Sequence, residues 1–309
     1  MVPNKTRRFL MRVFLTGGTG FIGHYVAKNL LECGHTVNIL TRHPDKIPSL
    51  KKHPGVTLVC GSIHDVVAMR QGLEGCDACI HIALGWGETP LAMLENDTRA
   101  TALLLELASI NGCKKFIYTS STAAMGKMRP SMTENTVLMP IDLYGATKAA
   151  GEAYVLGFTS TSMTRNIVRP GYTFGNPAWP DGCSQPDKRF TEMARAILTD
   201  QDIHIIKNDG TQFIHASQQA KLFASVLDSH FNEEVFLSLG SSWIGWKEIA
   251  ERMITRHPQT KSKIIEKDLG WAEKPMLYSV AKIATSFGLA LDGREFLDDH
   301  IQWQMNRLK

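Results

Sequence analysis

The sequence predicts an α/β protein with a Rossmann-type, doubly wound parallel sheet and a smaller C-terminal lobe. The first observation is that short runs rich in Val, Ile, Leu, Phe and Tyr alternate with segments of helical periodicity over roughly the first 170 residues. Near-continuous apolar runs are typical of strands buried on both faces, as in a parallel sheet covered by helices. The second observation is that the alternation stops near residue 175, where the Pro- and Gly-rich stretch GNPAWPDGCSQPDKR begins.

The elements follow in chain order. The run MRVFLT at 11–16 is predicted as the first strand, and the helix after it carries Ile22, Val26 and Leu30 at i, i+4 and i+8 until Gly34 ends it. Beyond the Pro- and Gly-rich stretch, RFTEMARAIL and WKEIAERMI predict helices. The further predicted strands are HTVNILT (35–41), GVTLVCG (55–61), ACIHIA (78–83), KKFIYTSS (114–121) and RNIVRP (165–170).

A chain of 309 residues is long enough for one large or two medium domains. We predict one Rossmann-type domain over residues 11–175. Residues 176–309 are predicted to form mainly a substrate-binding lobe, with some segments returning to the first domain. The basic opening MVPNKTRRFL, residues 1–10, is expected to be a mobile extension.

Charge and hydropathy exclude several classes of partner. Lys and Arg number 34 against 30 Asp and Glu, and no basic stripe interleaved with aromatic residues is present, so nucleic acid is not an expected partner. No apolar run reaches the roughly 18 to 20 residues of a membrane helix, and the N-terminus lacks the apolar core of a secretory signal. These features indicate a cytoplasmic protein with no membrane partner.

Cys76 and Cys79 have the CxxC spacing of a zinc or redox site. The pair lies at the entry of a predicted strand, where residues three apart point to opposite faces. No second CxxC or His pair accompanies it. We therefore interpret both as structural cysteines and expect no metal site.

The stretch FLTGGTGFIGHY at 14–25 places a cluster of glycines between a predicted strand and a predicted helix. In the spacing Gly17-x-x-Gly20-x-x-Gly23, the first glycine permits a tight turn, the second lets the backbone approach a pyrophosphate, and the third lets the helix pack closely on the strand. The helix N-terminus offers free N–H groups to the phosphates. The pattern predicts a dinucleotide site formed by Gly17, Thr19, Gly20, Phe21, Ile22 and Gly23.

The end of the second strand bears on the choice of dinucleotide. A carboxylate there would bind the ribose 2′-OH of NAD, but the sequence has Thr41 and Arg42 instead. An arginine without a nearby acid suits the 2′-phosphate of NADP. Arg42 could also be an ordinary solvated loop residue, and Asp45 lies further on and is less well placed, so NADP is favoured and NAD is left open.

Tyr144 and Lys148 are four residues apart, so on a helix they share one face. A nearby ammonium favours the phenolate and lowers the pKa of a tyrosine from about 10, which makes Tyr144 a candidate general acid or base. Hydroxyl side chains at 119–122 follow an earlier predicted strand, and ligands of α/β sheets gather at such strand ends. We expect these groups to converge beside the dinucleotide.

At this point the sequence resembles the short-chain dehydrogenase/reductase family, and specifically its extended branch, often called NAD-dependent epimerase/dehydratase. The likeness covers residues 11 to about 177 well and the remainder weakly. It rests on TGGTGFIG (16–23), CDACIHIA (76–83), Asn96, YTSST (118–122), YGATK (144–148) and RPGYTFGNP (169–177).

The resemblance implies a role for each motif residue. Tyr144 would exchange the proton on the substrate oxygen, and Lys148 would hold the nicotinamide ribose and tune Tyr144. Ser121 would hydrogen-bond the carbonyl or hydroxyl being transformed, with Ser120 as the alternative in register. The cofactor would also be lined by Ser62 and Ile63 beside the adenine, by Ala83, and by Pro170 and Gly171 beside the nicotinamide.

Departures from the family pattern reduce the number of reactions that the chain is expected to catalyse. Thr122 and Ala123 stand where nucleotide-sugar dehydratases carry an acidic pair, so elimination lacks its acid and base. Tyr172 replaces an asparagine that is usual in nucleotide-sugar epimerases. The Arg-Asp and acidic pair of those enzymes are likewise replaced, by Thr211, Gln212, Ser217 and Gln218.

These losses favour an NAD(P)-dependent oxidoreductase that reduces a ketone or aldehyde of a small molecule. The first alternative is a nucleotide-sugar epimerase acting through a transient keto intermediate. The second is a non-catalytic NADP-binding regulator, although such relatives characteristically lose the Tyr-Lys pair that this chain keeps.

Two further expectations concern the substrate and the assembly. Loop residues near the nicotinamide end suggest an apolar substrate pocket. Many relatives also dimerise through the helices that carry Asn96 and Tyr144, so a homodimer is expected. The candidate pocket residues are Trp86, Met125, Met128, Tyr172 and Trp179.

Overall fold

A computed structural model describes residues 9–160, 162–185 and 187–309. Most of the extension expected over residues 1–10 lies outside the described residues. Phe9 and Leu10, its last two residues, are exposed and precede the first strand.

The described strands alternate with helices along the first half of the chain, as predicted. All six sequence-predicted strands are present as β1 to β6. The strands are β1 Arg12–Thr16, β2 Thr36–Thr41, β3 Val56–Cys60, β4 Ala78–His81, β5 Lys115–Thr119, β6 Thr164–Pro170, β7 Thr173–Phe174, β8 Ile203–Ile206, β9 Gly210–Thr211, β10 Ile214–His215, β11 Glu234–Ser238, β12 Ile244–Gly245 and β13 Ile264–Lys267.

The helices between them vary from single turns to about four turns. A π-helical turn over Leu94–Thr98 connects α4 to α5, and short 3-10 turns cover Pro44–Lys46 and Thr122–Met125. The α-helices are α1 Phe21–Glu32, α2 Pro48–Lys51, α3 Val66–Leu73, α4 Pro90–Met93, α5 Arg99–Ile110, α6 Leu143–Gly157, α7 Arg189–Leu198, α8 Ala216–Asp228, α9 Trp246–Thr255, α10 Ala281–Phe287 and α11 Arg294–Asn306.

Seven of the described strands form a parallel sheet in the order β11-β6-β5-β4-β1-β2-β3. The strand order reverses between β1 and β4, and there Thr16 lies level with Leu40 on β2 and His81 on β4. In doubly wound sheets the crevice at the carboxyl ends of such strands is where ligands bind. The sheet therefore places the glycine loop after β1 at this reversal.

Helices cover both faces of the sheet, which confirms the doubly wound fold. On one face Val26 of α1 and Phe223 of α8 belong to a buried cluster with the strands. On the other face Leu104 of α5 and Val155 of α6 pack with Phe116 of β5. Fully burying one such side chain stabilises the fold by about 1.5–3 kcal/mol, so the two layers hold the strand ends in fixed positions.

The chain beyond residue 175 contributes to two cores. α8 packs on the Rossmann sheet beside α1, and β11 extends that sheet at its edge next to β6. By contrast, α7, α9 and α11 enclose a separate apolar cluster that includes Phe190, Phe213 and Trp246. The ring centroids of Phe213 and Trp246 are 5.1 Å apart.

Cys76 and Cys79 are buried in one and the same core cluster rather than on opposite faces, because Cys76 lies ahead of β4. The Cys76 thiol donates to the Gly72 carbonyl oxygen, and burial raises its pKa to about 12. Burial also raises the pKa of Cys79 well above its usual value. Both thiols are therefore held in the protonated form inside the core.

Membrane-spanning helices and clusters of metal ligands are both absent from the described residues. None of their helices combines the length and the apolar character needed to cross a bilayer. No three His, Cys, Asp or Glu side chains among them are grouped so as to hold a metal ion together.

Candidate active site

The glycine loop between β1 and α1 is shaped by close backbone contacts. Gly17 has φ of +71°, and a Cβ on it would lie 2.6 Å from the amide nitrogen of Ala83. A Cβ on Gly23 would lie 2.0 Å from the Gly17 carbonyl oxygen. Gly20 is the N-cap of α1 and has no side chain to occupy the first-turn amides. The loop thus leaves a bare helix N-terminus, which suits an anion such as a phosphate.

A cleft of about 810 Å³ lies over this loop. None of the described residues that line it is acidic. The sequence-predicted cofactor residues that line it are Gly17, Thr19, Gly20, Phe21, Ile22, Gly23, Arg42, Ser62, Ile63 and Ala83.

Asp45 takes no part in this cleft. Its carboxylate accepts a hydrogen bond from the Lys51 ammonium at 2.8 Å, and it does not line the cleft. Arg42 lines the cleft and is exposed. Arg42 therefore brings a positive charge to this end of the cleft.

A second cleft of about 270 Å³ adjoins the first, sharing Phe21, Ile22, Ile82 and Leu84 with it. It holds the remaining candidate groups at the carboxyl ends of β5 and β6. The sequence-predicted residues that line it are Thr119, Ser120, Ser121, Tyr144, Lys148, Pro170, Gly171 and Tyr172.

Tyr144 and Lys148 lie in the first turns of α6. Asp142 begins this helix as its N-cap, because its carboxylate accepts from the Gly145 amide at 2.6 Å. Burial raises the pKa of Tyr144, and a hydrogen bond with the Ser121 hydroxyl opposes that rise. The expectation that Lys148 lowers this pKa below its usual value is therefore wrong for this structure, since burial dominates.

The two serines after β5 differ in their partners. The Ser120 hydroxyl donates to the buried carboxylate of Glu152. Ser121 hydrogen-bonds Tyr144, and its hydroxyl also accepts from the Ala123 amide at 3.1 Å. This geometry favours Ser121 over Ser120 as the hydroxyl that faces a substrate oxygen.

Lys148 is almost fully buried, with 3% of its surface exposed. Its Nζ lies 3.6 Å from Oδ2 of Asp97 and 5.2 Å from the centroid of the Tyr118 ring. Burial lowers the pKa of Lys148, and the Asp97 carboxylate opposes that fall. Sequence reasoning cited the neighbouring Asn96 and missed Asp97, because nothing in the sequence links Asp97 to Lys148, 51 positions later.

Three of the predicted pocket residues line neither cleft, namely Met125, Met128 and Trp179. Met125 ends the 3-10 turn after Ser121 and is fully buried in a cluster with Met132, because this turn directs it into the core. Met128 is partly buried against the cluster that contains Met125. Trp179 packs edge-on against His24 of α1, with ring centroids 5.6 Å apart.

The other members of the predicted pocket set are placed differently. Trp86 lines the first cleft, where its indole N–H donates to Glu88 at 2.7 Å. Tyr172 lines the second cleft.

Asp187 also lines the second cleft and was not predicted as a site residue. Its Oδ2 accepts hydrogen bonds from Nη2 and Nε of Arg189, at 2.8 and 3.0 Å. The guanidinium of Arg189 lies over the ring of Tyr172, 5.2 Å from its centroid. Because Asp187 comes from a loop with no motif, only the tertiary structure brings it to the cleft.

Comparison with known proteins finds enzymes whose sequences are similar to this chain. A sterol-4-alpha-carboxylate 3-dehydrogenase, decarboxylating, from Dictyostelium discoideum is 31% identical over 167 residues, which are 50% of this chain and 50% of that protein. A UDP-N-acetyl-alpha-D-glucosaminuronate decarboxylase from Bacillus cytotoxicus is 27% identical over 250 residues, or 74% of this chain and 75% of that protein.

Among solved structures, UDP-glucuronic acid 4-epimerase from Bacillus cereus in complex with NAD shares the fold, with a TM-score of 0.78 and 19% identity over 97% of this chain and 100% of that one. The model of the NAD dependent epimerase/dehydratase family matches residues 13–237. That match spans more than half of the chain and includes the glycine loop, Ser121 and the Tyr-Lys pair. The chain therefore belongs to the NAD dependent epimerase/dehydratase family.

Proposed function

We propose that the protein is an NAD(P)-dependent oxidoreductase of the extended short-chain dehydrogenase/reductase type that acts on a carbonyl or alcohol carbon of a small molecule. The observation that carries this proposal is the second cleft, where Ser121, Tyr144 and Lys148 line one space beside the glycine loop. Relatives named as a dehydrogenase and a decarboxylase support an enzyme rather than a regulator.

The residues of the first cleft fit a nicotinamide dinucleotide. Side chains at Gly17 and Gly23 would clash with the backbone that shapes the glycine loop, and the bare N-terminus of α1 suits the pyrophosphate. Structural neighbours in complex with NAD support binding of this cofactor class. We infer a preference for NADP, which rests on Arg42 and on the absence of an acid among the described lining residues.

Each catalytic residue has a distinct task in this proposal. When bound, the nicotinamide supplies or accepts the hydride. Tyr144 donates its phenolic proton to the substrate oxygen during reduction, because burial keeps the phenol protonated near neutral pH. Ser121 donates a hydrogen bond to the same oxygen, and Lys148 holds the nicotinamide ribose next to Tyr144.

The second candidate is a nucleotide-sugar epimerase. It is favoured by the names of the Bacillus relative and neighbour, both of which refer to UDP-sugars. A further cleft of about 510 Å³ in the C-terminal part, lined in part by Arg189, Trp246 and Lys267, offers room for a larger substrate. Against it stands Arg189, whose charge is already compensated by Asp187 and so is less available to a diphosphate.

A substrate screen distinguishes the oxidoreductase from the nucleotide-sugar epimerase. Ketones, aldehydes and UDP-sugars are incubated with the protein and NADPH or NADH, while cofactor oxidation and product isomers are followed. Net cofactor oxidation with a ketone or aldehyde supports the oxidoreductase, whereas isomerisation of a sugar without net oxidation supports the epimerase. If the chain binds neither dinucleotide in direct titrations, the proposal is rejected.

A further inference from the structure

Asp97 is a fully buried carboxylate behind the second cleft. Its Oδ2 lies 3.6 Å from Nζ of Lys148 and accepts from the Thr147 hydroxyl at 3.1 Å. Its Oδ1 accepts from the backbone amide of Gly85 at 3.0 Å. Asp97 itself lines neither cleft.

We propose that Asp97 is a positioning residue for the reaction: its carboxylate holds the Lys148 ammonium in place and keeps it charged. This inference rests on the proposed function, because Lys148 is there assigned to the cofactor ribose. Asp97 acts only through Lys148 and the backbone, and is not itself a catalytic residue.

The first argument is the cost of an isolated buried charge. Lys148 has 3% of its surface exposed, and an ammonium so far from water is strongly disfavoured unless an opposite charge is close. Asp97 supplies that charge on an element other than the one that carries Lys148. Its two further hydrogen bonds, from Thr147 and Gly85, fix the carboxylate in turn.

The second argument concerns the other groups that face Lys148. His81 on β4 is buried between the hydroxyls of Thr16 and Thr101, and burial lowers its pKa to about 4, so it is neutral near pH 7. Tyr118 on β5 presents its ring to Lys148. Tyr144 on α6 is a protonated phenol near neutral pH. Of these described neighbours, Asp97 alone brings a negative charge.

The third argument is the local backbone. Asp97 lies in the π-helical turn Leu94–Thr98, and π-turns inside helices frequently occur at functional sites. The loop after β4 packs tightly on this turn, since a Cβ on Gly85 would lie 1.9 Å from the Asn96 carbonyl oxygen. Asp97 thereby joins α6 to a loop that lines the dinucleotide cleft.

The test uses NADPH as a probe and the full chain. NADPH dissociation constants are measured by fluorescence for the parent and for Asp97→Asn, at about pH 6 and about pH 9. Removal of a charge this close shifts a partner's pKa by about one to three units, so Lys148 loses its proton at lower pH in the variant. At the lower pH we expect Asp97→Asn to bind NADPH about as tightly as the parent. At the higher pH we expect it to bind NADPH about tenfold more weakly than the parent, because the charge-assisted hydrogen bond from Lys148 to the cofactor ribose is lost.

The matched control is Asp77→Asn. Asp77 precedes β4 at the opposite end of the sheet, where it accepts from the Arg12 amide at 2.8 Å, and this variant should follow the parent at both pH values. Equal dissociation constants for Asp97→Asn and the parent at both pH values would overturn the inference and leave the proposed function intact. A parent chain that binds neither NADPH nor NADH would overturn both.

A double variant keeps the test decisive if Asp97→Asn does not fold. Asp97→Asn/Lys148→Met leaves no uncompensated charge in the core, so we expect it to fold and to match Lys148→Met in NADPH affinity at every pH. Thermal unfolding should rank Asp97→Asn below the double variant. A double variant that is no more stable than Asp97→Asn would show that Asp97 serves the fold independently of Lys148, which contradicts the inference.

Discussion

Ser120 and Ser121 carry neighbouring hydroxyls that differ in their hydrogen-bond partners. Ser120 is occupied by Glu152 in the core, whereas Ser121 reaches Tyr144. The sequence leaves the two as alternatives in register because nothing in the motif shows which side of the strand end faces the helix. The same limit applies to Asp97, whose link to Lys148 joins residues 51 positions apart.

The residue scale yields a first prediction, at Tyr144. Tyr144→Phe keeps the ring and its packing and removes only the hydroxyl that transfers the proton. General acid-base groups contribute about 10²- to 10⁴-fold to the rate, so turnover of a true substrate should fall by that order while NADPH affinity stays nearly unchanged. Steady-state kinetics and NADPH titration measure the two effects. Lys148→Ala is the contrast and should weaken NADPH binding as well; full activity of Tyr144→Phe would reject the assigned role.

A second prediction concerns Arg42 at the adenosine end of the first cleft. Arg42→Asp replaces the cation with the acid that binds a ribose 2′-OH, so the ratio of NADPH to NADH affinity should fall by at least about tenfold. Direct titration with both cofactors measures this ratio. Lys51→Asp provides a control, because Lys51 pairs with Asp45 away from the cleft. Tighter NADH than NADPH binding in the parent chain would contradict the proposed preference.

At the scale of elements, periodicity and glycine spacing predict what is local. The strands β1 to β6 and the turn into α1 follow from runs of apolar residues and from the spacing of Gly17, Gly20 and Gly23. The positions of Met125 and Asp97 were not predicted, because both lie in short irregular turns. The 3-10 turn after β5 buries Met125, and the π-turn before α5 directs Asp97 inward. Neither turn has a sequence signature, since each is imposed by packing against α6 or a neighbouring loop.

The glycine loop yields a third prediction. Gly23→Ala places a Cβ against the Gly17 carbonyl oxygen, so the loop and α1 must separate. We expect a loss of about 1–3 kcal/mol in the free energy of unfolding, together with weaker dinucleotide binding. Gly157→Ala at the end of α6 is the control, because a Cβ there meets nothing within 4 Å and should stabilise the helix slightly. Denaturant unfolding and NADPH titration compare the two; equal effects would contradict the proposed packing role of Gly23.

At the scale of the whole molecule, the order of the strands brings distant residues to one edge of the sheet. The reversal between β1 and β4 leaves room for the dinucleotide, and β5 and β6 bring Ser121 and Pro170 to the adjoining cleft. The fold class is predictable because it follows from alternation along the chain. The return of α8 and β11 to the Rossmann sheet has no such local pattern. The position of Asp187 in the lining of the second cleft has none either.

The outer faces of α5 and α6 form a surface groove. These helices pack side by side, and a shallow groove of about 420 Å³ between them is lined by small and apolar residues together with Glu106. Tyr154 in this groove has 53% of its surface exposed. The lining residues are Ala102, Leu105, Glu106, Ala153, Tyr154, Gly157 and Phe158.

We propose that a second copy of the chain covers this groove and forms a homodimer. A twofold interface places the same helices of both copies against each other, and the exposed apolar groups of the groove would then leave water. Sedimentation at about micromolar concentration should therefore give a dimer, since a stable interface of standard size is compatible with dissociation constants in or below that range.

Tyr154→Glu should shift the population to monomer without lowering the melting temperature of the monomer, because Tyr154 is half exposed. Val67→Glu, at a position that is 76% exposed on α3, should sediment like the parent. A parent chain that sediments only as monomer, or a Tyr154→Glu variant that remains fully dimeric, would reject this interface.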